Sequence, residues 1–159
     1  MNELLLSIKE SLESKNWYAA LTVALILPDI CGKIDTPGMK SGKRYASWFD
    51  KYVKKYYTVQ ESTDFALISG GDCYAIRCAM LHEFSKDLTM HNARKIIDKY
   101  KFCSPETCSF GTKFRVKQAG NEIELNVSDF CGKMIIGVNA WLKESRNNTN
   151  IFENFVKIE

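Results

Sequence analysis

The sequence predicts a mainly α fold: a helical bundle with a small antiparallel β hairpin or sheet inserted before the last long helix. Three observations carry this. Apolar residues recur at three-and-four spacing over about residues 3–27, 43–57, 70–85 and 128–144. Over about residues 95–127 the pattern changes to alternation, the signature of strands. With 159 residues, 45% of them hydrophobic and 26% charged, the chain has the size and balance of a single domain over 1–159.

In the first stretch Leu4, Leu5, Ile8 and Leu12 line one face. Lys15-Asn16 interrupts it, and Asn16 is placed to cap a second segment from Trp17 to Leu27. That segment is apolar nearly all round, as a core helix is. Pro28 is expected to end it, with Gly32 turning the chain. A loop carrying Pro37, Gly38, Ser41 and Gly42 leads to the helix over 43–57. Its inner face is expected to hold Ala46, Phe49, Val53 and Tyr56, with Lys43, Arg44, Lys51, Lys54 and Lys55 largely outside.

Ser69-Gly70-Gly71-Asp72 opens the next helix at capping-box spacing. The Ser69 hydroxyl can accept from the amide three residues on, and Asp72 can reach back. Asp72 also suits the positive end of the helix dipole. Gly70-Gly71 is a weak candidate cradle for an anion.

Ile96-Ile97 and Tyr100-Lys101-Phe102 read as strand. Phe114-Arg115-Val116-Lys117 and Ile123-Glu124-Leu125-Asn126-Val127 alternate on either side of a turn at Ala119-Gly120-Asn121, which is hairpin patterning. Ser128 is the expected cap of the last helix, whose inner positions are Phe130, Met134, Ile135, Val138, Trp141 and Leu142. A polar run from Arg146 to Asn150 follows, and Ile151–Ile158 suits a short strand or a docked extension. Asp29-Ile30-Cys31-Gly32-Lys33 recurs as Asp129-Phe130-Cys131-Gly132-Lys133; with one copy ending a helix and the other inside one, the match is taken as chance.

Lys and Arg number 22 against 19 Asp and Glu, a net charge of +3. That balance is milder than the strong basicity of a dedicated DNA binder, yet it suits an enzyme that holds a few phosphates. The opening Met1-Asn2-Glu3 does not read as a secretory leader. All six cysteines are therefore expected reduced, in the cytoplasm. Cys103-x4-Cys108 is too loose for a zinc knuckle, so no metal and no cofactor are expected. The longest apolar run, Ala19 to Pro28, is well short of the ~20 residues that cross a bilayer, and no membrane association is expected.

Chemistry is suggested by one string, Arg77-Cys78-Ala79-Met80-Leu81-His82. Arg presents a permanently charged fork of donors that fits a phosphate. His exchanges protons near neutral pH. Together the two suit phosphodiester cleavage without a metal. The spacing Arg-x4-His near the start of a bundle helix resembles the HEPN family (higher eukaryotes and prokaryotes nucleotide-binding), whose motif is Arg, four to six residues, then His. Cys78 stands where that family often carries a polar residue, commonly Asn. Phe84 stands where toxins modified by a nucleotidyltransferase partner carry a Tyr, so that control is not expected.

The resemblance implies a metal-independent endoribonuclease, of the kind used as a toxin or antiphage effector, with Arg77 and His82 as catalytic residues. It also implies a homodimer with the motif at the interface and RNA as substrate, and it leaves open an antitoxin or other regulatory protein. Five residues along an ideal helix turn through roughly 140°, so Arg77 and His82 do not share one face, and a two-fold partner would supply a second Arg and His.

Lys51-Tyr52-Val53-Lys54-Lys55-Tyr56-Tyr57 mixes bases with aromatics, making Lys54 and Lys55 candidate RNA-backbone contacts, although a solvated basic helix face reads the same way. His91 is the other titrating candidate, an ordinary surface His by its context. Two rival readings stand beside the nuclease. One is a non-catalytic RNA- or nucleotide-binding module. The other is a helical interaction protein in which Arg77 bonds to Asp72 or Asp29 and His82 is a core residue. No GxxxxGK[ST], HExxH or GxSxG motif points elsewhere.

Overall fold

The computed structural model describes residues 1–58, 67–82, 98–109, 116–119 and 122–145. His91, Ile96-Ile97, Phe114-Arg115, the turn at Gly120-Asn121, the expected helical residues 83–85 and the tail 146–158 lie outside the described residues. The fold is mainly α. Its helices are α1 (Asn2–Glu13), α2 (Trp17–Asp35), α3 (Ser41–Tyr52), a 3₁₀ turn (Lys54–Tyr57), α4 (Gly70–His82) and α5 (Val127–Ser145). The strands are β1 (Tyr100–Cys103), β2 (Val116–Ala119) and β3 (Glu122–Asn126).

The break near Lys15 is a helix stop built from backbone bonds. Asn16 N–H donates to the Ser11 carbonyl at 2.7 Å and Lys15 N–H to Leu12 at 3.1 Å, the paired bonds of a Schellman ending. Lys15 takes the left-handed position, φ 57°, that glycine usually fills. Asn16 then caps α2 as its side chain accepts from the Ala19 amide.

Pro28 does not end α2, which runs on to Asp35. The ring removes one backbone donor and crowds the preceding turn. The Leu25 carbonyl, one residue beyond the one left without an amide, accepts from the buried Tyr45 hydroxyl at 2.9 Å, a tertiary bond that helps hold this turn. Packing carries the helix past the proline: Cys31 is fully buried, and Gly32 lies where α3 comes so close that a Cβ would sit 2.9 Å from the Arg44 carbonyl oxygen. Gly32 is thus a helix-crossing residue and not a turn. The two Asp-x-Cys-Gly-Lys copies consequently both lie inside helices. By length and composition α2 is the one described helix apolar enough to cross a bilayer; here it is the central helix, packed against α1, α3, α4 and α5.

The inner face of α3 is Tyr45, Trp48, Phe49 and Tyr52, with Ala46 only partly buried. After Tyr52 the chain tightens into the 3₁₀ turn, which shifts the phase. Tyr57 is buried against Phe130, whereas Tyr56, expected inside, is 36% exposed.

The β element corrects the expected antiparallel one, because it is mixed. The strand order is β1-β3-β2, with β1 parallel to β3 and β2 antiparallel to it. Tyr100 pairs with Ile123 and Cys103 with Asn126, while Val116 pairs with Leu125. Strand β3 runs without a loop into α5, whose cap is Asn126, accepting from the Asp129 amide, and not Ser128. Phe130, Met134, Val138 and Trp141 of α5 are fully buried, and the Trp141 indole donates to Asp35 at the end of α2.

Cys103 and Cys108 form a disulfide with Cα atoms 5.1 Å apart. This corrects the reduced reading for that pair; Cys31, Cys73, Cys78 and Cys131 are free.

Candidate functional site

Helix α4 lies antiparallel to both α2 and α3. Against α3, Tyr74 meets Ser41 and Tyr45, Cys73 meets Tyr45, and Gly70 meets Ala46. Against α2, Arg77 meets Asp29 and Met80 meets Thr22.

The start of α4 is fixed by the expected capping box. The Ser69 hydroxyl accepts from the Asp72 amide at 3.1 Å, and the Asp72 carboxylate accepts from the Ser69 amide and hydroxyl. The Tyr100 hydroxyl adds a bond, 2.9 Å from Asp72 and 2.8 Å from the Leu67 carbonyl oxygen, which ties β1 to this cap. Burial first, and then the Asp72 charge, push the Tyr100 hydroxyl well above the usual phenol range. The Gly70 amide already donates to Asp50 at 2.8 Å. A carboxylate of the chain itself therefore occupies the place where an anion cradle was considered.

Arg77 Nη2 donates to Asp29 Oδ2 at 2.7 Å, with the two side chains 21% and 17% exposed. Of the two acids considered, Asp29 takes the guanidinium and Asp72 serves the cap. One of the five guanidinium donors is thereby directed at α2. His82 is the last residue of α4, five residues beyond Arg77, at the end of the helix that runs toward the N-terminal half of α2.

Tyr45, between α2 and α4, is fully buried and 3.3 Å from Cys73 Sγ. Burial raises its hydroxyl well above the ordinary value. Burial also pushes the Cys73 and Cys131 thiols up to about 12 and holds Cys31 higher still. These three are apolar packing groups and not nucleophiles. Among the described residues no group of three or more His, Cys, Asp or Glu is placed to hold a metal ion.

Lys54 and Lys55 lie on the 3₁₀ turn, whose Tyr57 packs against Phe130 of α5. Their neighbour Lys51 is engaged: its ammonium lies 2.8 Å from Glu144, which also accepts from the Tyr52 hydroxyl. Those two bonds hold the Glu144 carboxyl below the usual range. Sequence reasoning missed Glu144, because the contact joins residues 93 apart and no local spacing announces it. It missed Lys133 of α5 for the same reason; its ammonium lies 5.1 Å from the Tyr56 ring centre.

No family model, no curated protein and no solved structure matches this chain.

Proposed function

We propose that the chain is a HEPN-like, metal-independent endoribonuclease that works as a homodimer through Arg77 and His82. The observation that carries this reading is the setting of Arg77. It is partly solvent-reachable, oriented by Asp29, and on the same helix as His82. His82 takes the proton of a ribose 2′-hydroxyl. The 2′-oxygen forms a bond to phosphorus, and the bond from phosphorus to the 5′-oxygen breaks. Arg77 stabilises the charge that builds on the non-bridging oxygens. The second His of the dimer returns a proton to the leaving 5′-oxygen, giving a 2′,3′-cyclic phosphate and a 5′-hydroxyl. DNA has no 2′-hydroxyl and is left intact. A toxin or antiphage role, held in check by a regulatory protein, fits such an activity.

A second reading is favoured by the same ion pair. Two side chains about four-fifths buried and bonded to each other also describe a structural strut between α2 and α4. The chain is then a non-catalytic RNA- or nucleotide-binding module, or a helical interaction protein.

The test is cleavage of labelled RNA in EDTA by the wild type, His82→Ala and Arg77→Lys, with thermal melting alongside. The nuclease reading expects His82→Ala to lose cleavage at an unchanged melting temperature. No cleavage by the wild type, or a His82→Ala protein that still cleaves, refutes it.

A further inference from the structure

One feature outside the Arg77 pair combines exposed aromatic surface with several cations. Tyr56 is 36% exposed at the tip of the 3₁₀ turn. Lys55 Nζ stands 5.3 Å from its ring centre and Lys133 Nζ 5.1 Å. Lys133 is tethered to this position, since its side chain is 12% exposed and its ammonium is 3.7 Å from Asp129. Lys51 and Lys54 precede the ring along the chain. Lys133 is bonded to Asp129, and Lys51 to Glu144.

We infer that Tyr56, with Lys54 and Lys55, forms a ridge that binds single-stranded RNA, the Tyr56 ring stacking on a base while the two ammoniums hold flanking phosphates. The inference rests on the RNA-directed reading of the chain and adds a binding surface separate from Arg77 and His82. Stacking on an aromatic ring together with a positive track is how proteins hold single strands without reading sequence. An acidic peptide would use the ammoniums but has no group that calls for the ring, which is why the observations favour nucleic acid.

The experiment measures fluorescence anisotropy of a short fluorescein-labelled single-stranded RNA across a salt series. The full-length His82→Ala protein is used so that bound RNA is not cut. On that background Tyr56→Leu is expected to weaken binding about tenfold. Lys55→Gln is expected to lower the slope of log affinity against log salt by about 0.7, the loss of one phosphate contact. A poly-glutamate peptide serves as the competing probe. Undiminished RNA binding by both variants overturns the ridge, as does a parent protein that binds no RNA. Equal loss of RNA and poly-glutamate binding by Tyr56→Leu also overturns it, because the ring would then make no base-specific contribution. The nuclease reading is decided separately, by cleavage in EDTA.

Discussion

Asp29 and Arg77 join the central helix to the helix that carries the candidate chemistry, with a 2.7 Å ion pair between largely buried side chains. Such a pair costs little while it is whole and much when it is halved, because removing one member strands the other charge in a poorly solvated place. The exposure of about a fifth lowers that penalty below the fully buried limit.

Asp29→Ala and Arg77→Ala are each expected to cost about 2 kcal/mol of unfolding free energy, between the surface and buried ranges. The double variant should lose less than the sum, with a coupling of about 1 kcal/mol. Urea denaturation of the four proteins measures this. Additive losses would show that the two side chains do not interact in solution.

Gly32 and Gly132 occupy the same place in the two Asp-x-Cys-Gly-Lys copies, and the fold gives them opposite roles. A Cβ at Gly32 meets the α3 backbone at 2.9 Å, whereas nothing lies within 4 Å of one at Gly132. Gly32→Ala is expected to destabilise by about 1–3 kcal/mol through overpacking. Gly132→Ala is expected to stabilise by about 0.5–1 kcal/mol, since a helix interior prefers alanine. Chemical denaturation of the two variants, compared for sign, checks this.

The Cys103–Cys108 bridge closes a short loop whose cysteines are both buried. Chain-entropy reasoning gives about 2 kcal/mol for a loop of this size. Cys103→Ser/Cys108→Ser should lower stability by about that amount, and a dithiol reductant should bring the wild type to the same level. Mass spectrometry under non-reducing conditions, showing both thiols free, would contradict the bridge.

Glu124 accepts from the Ser109 amide at 3.1 Å and from Lys101 at 3.2 Å. Ser109, followed by Lys101, holds its carboxyl below the ordinary value of 4.5. A carboxyl depressed in the folded state stabilises above the unfolded value, and the contribution is lost as pH falls through the folded one. Stability should therefore decline on acidification below about pH 4.5. Glu124→Gln should start lower at neutral pH and show a shallower acid limb. Parallel curves for the two proteins would exclude Glu124 as a source of the acid sensitivity.

What the sequence made legible was local. The Ser69–Asp72 box and the Asn16 cap are written within three residues, and both form as their spacing requires. The apolar periods of α1, α2 and α5 mark real buried faces because one helix turn decides them. Pro28 misled because its cost is local while the packing that carries the helix past it is not: the close approach at Gly32 comes from α3. The parallel pairing of β1 with β3 was equally hidden, since alternation tells which residues are strand but not which strands become neighbours. For the candidate site, the sequence narrowed the partner of Arg77 to two acids, and only packing assigned Asp29 to it and Asp72 to the cap. The bridge at Cys103 was missed because a prior about compartment outweighed a spacing that carries little signal of its own.

Strand β3 stands between its two neighbours and passes straight into α5. Neither edge strand has another pairing partner in the described residues, so both depend on β3. Leu125, fully buried and paired on both sides, is the hinge pin of that arrangement. Damage there would unfasten both edges together and loosen the first turn of α5 behind it.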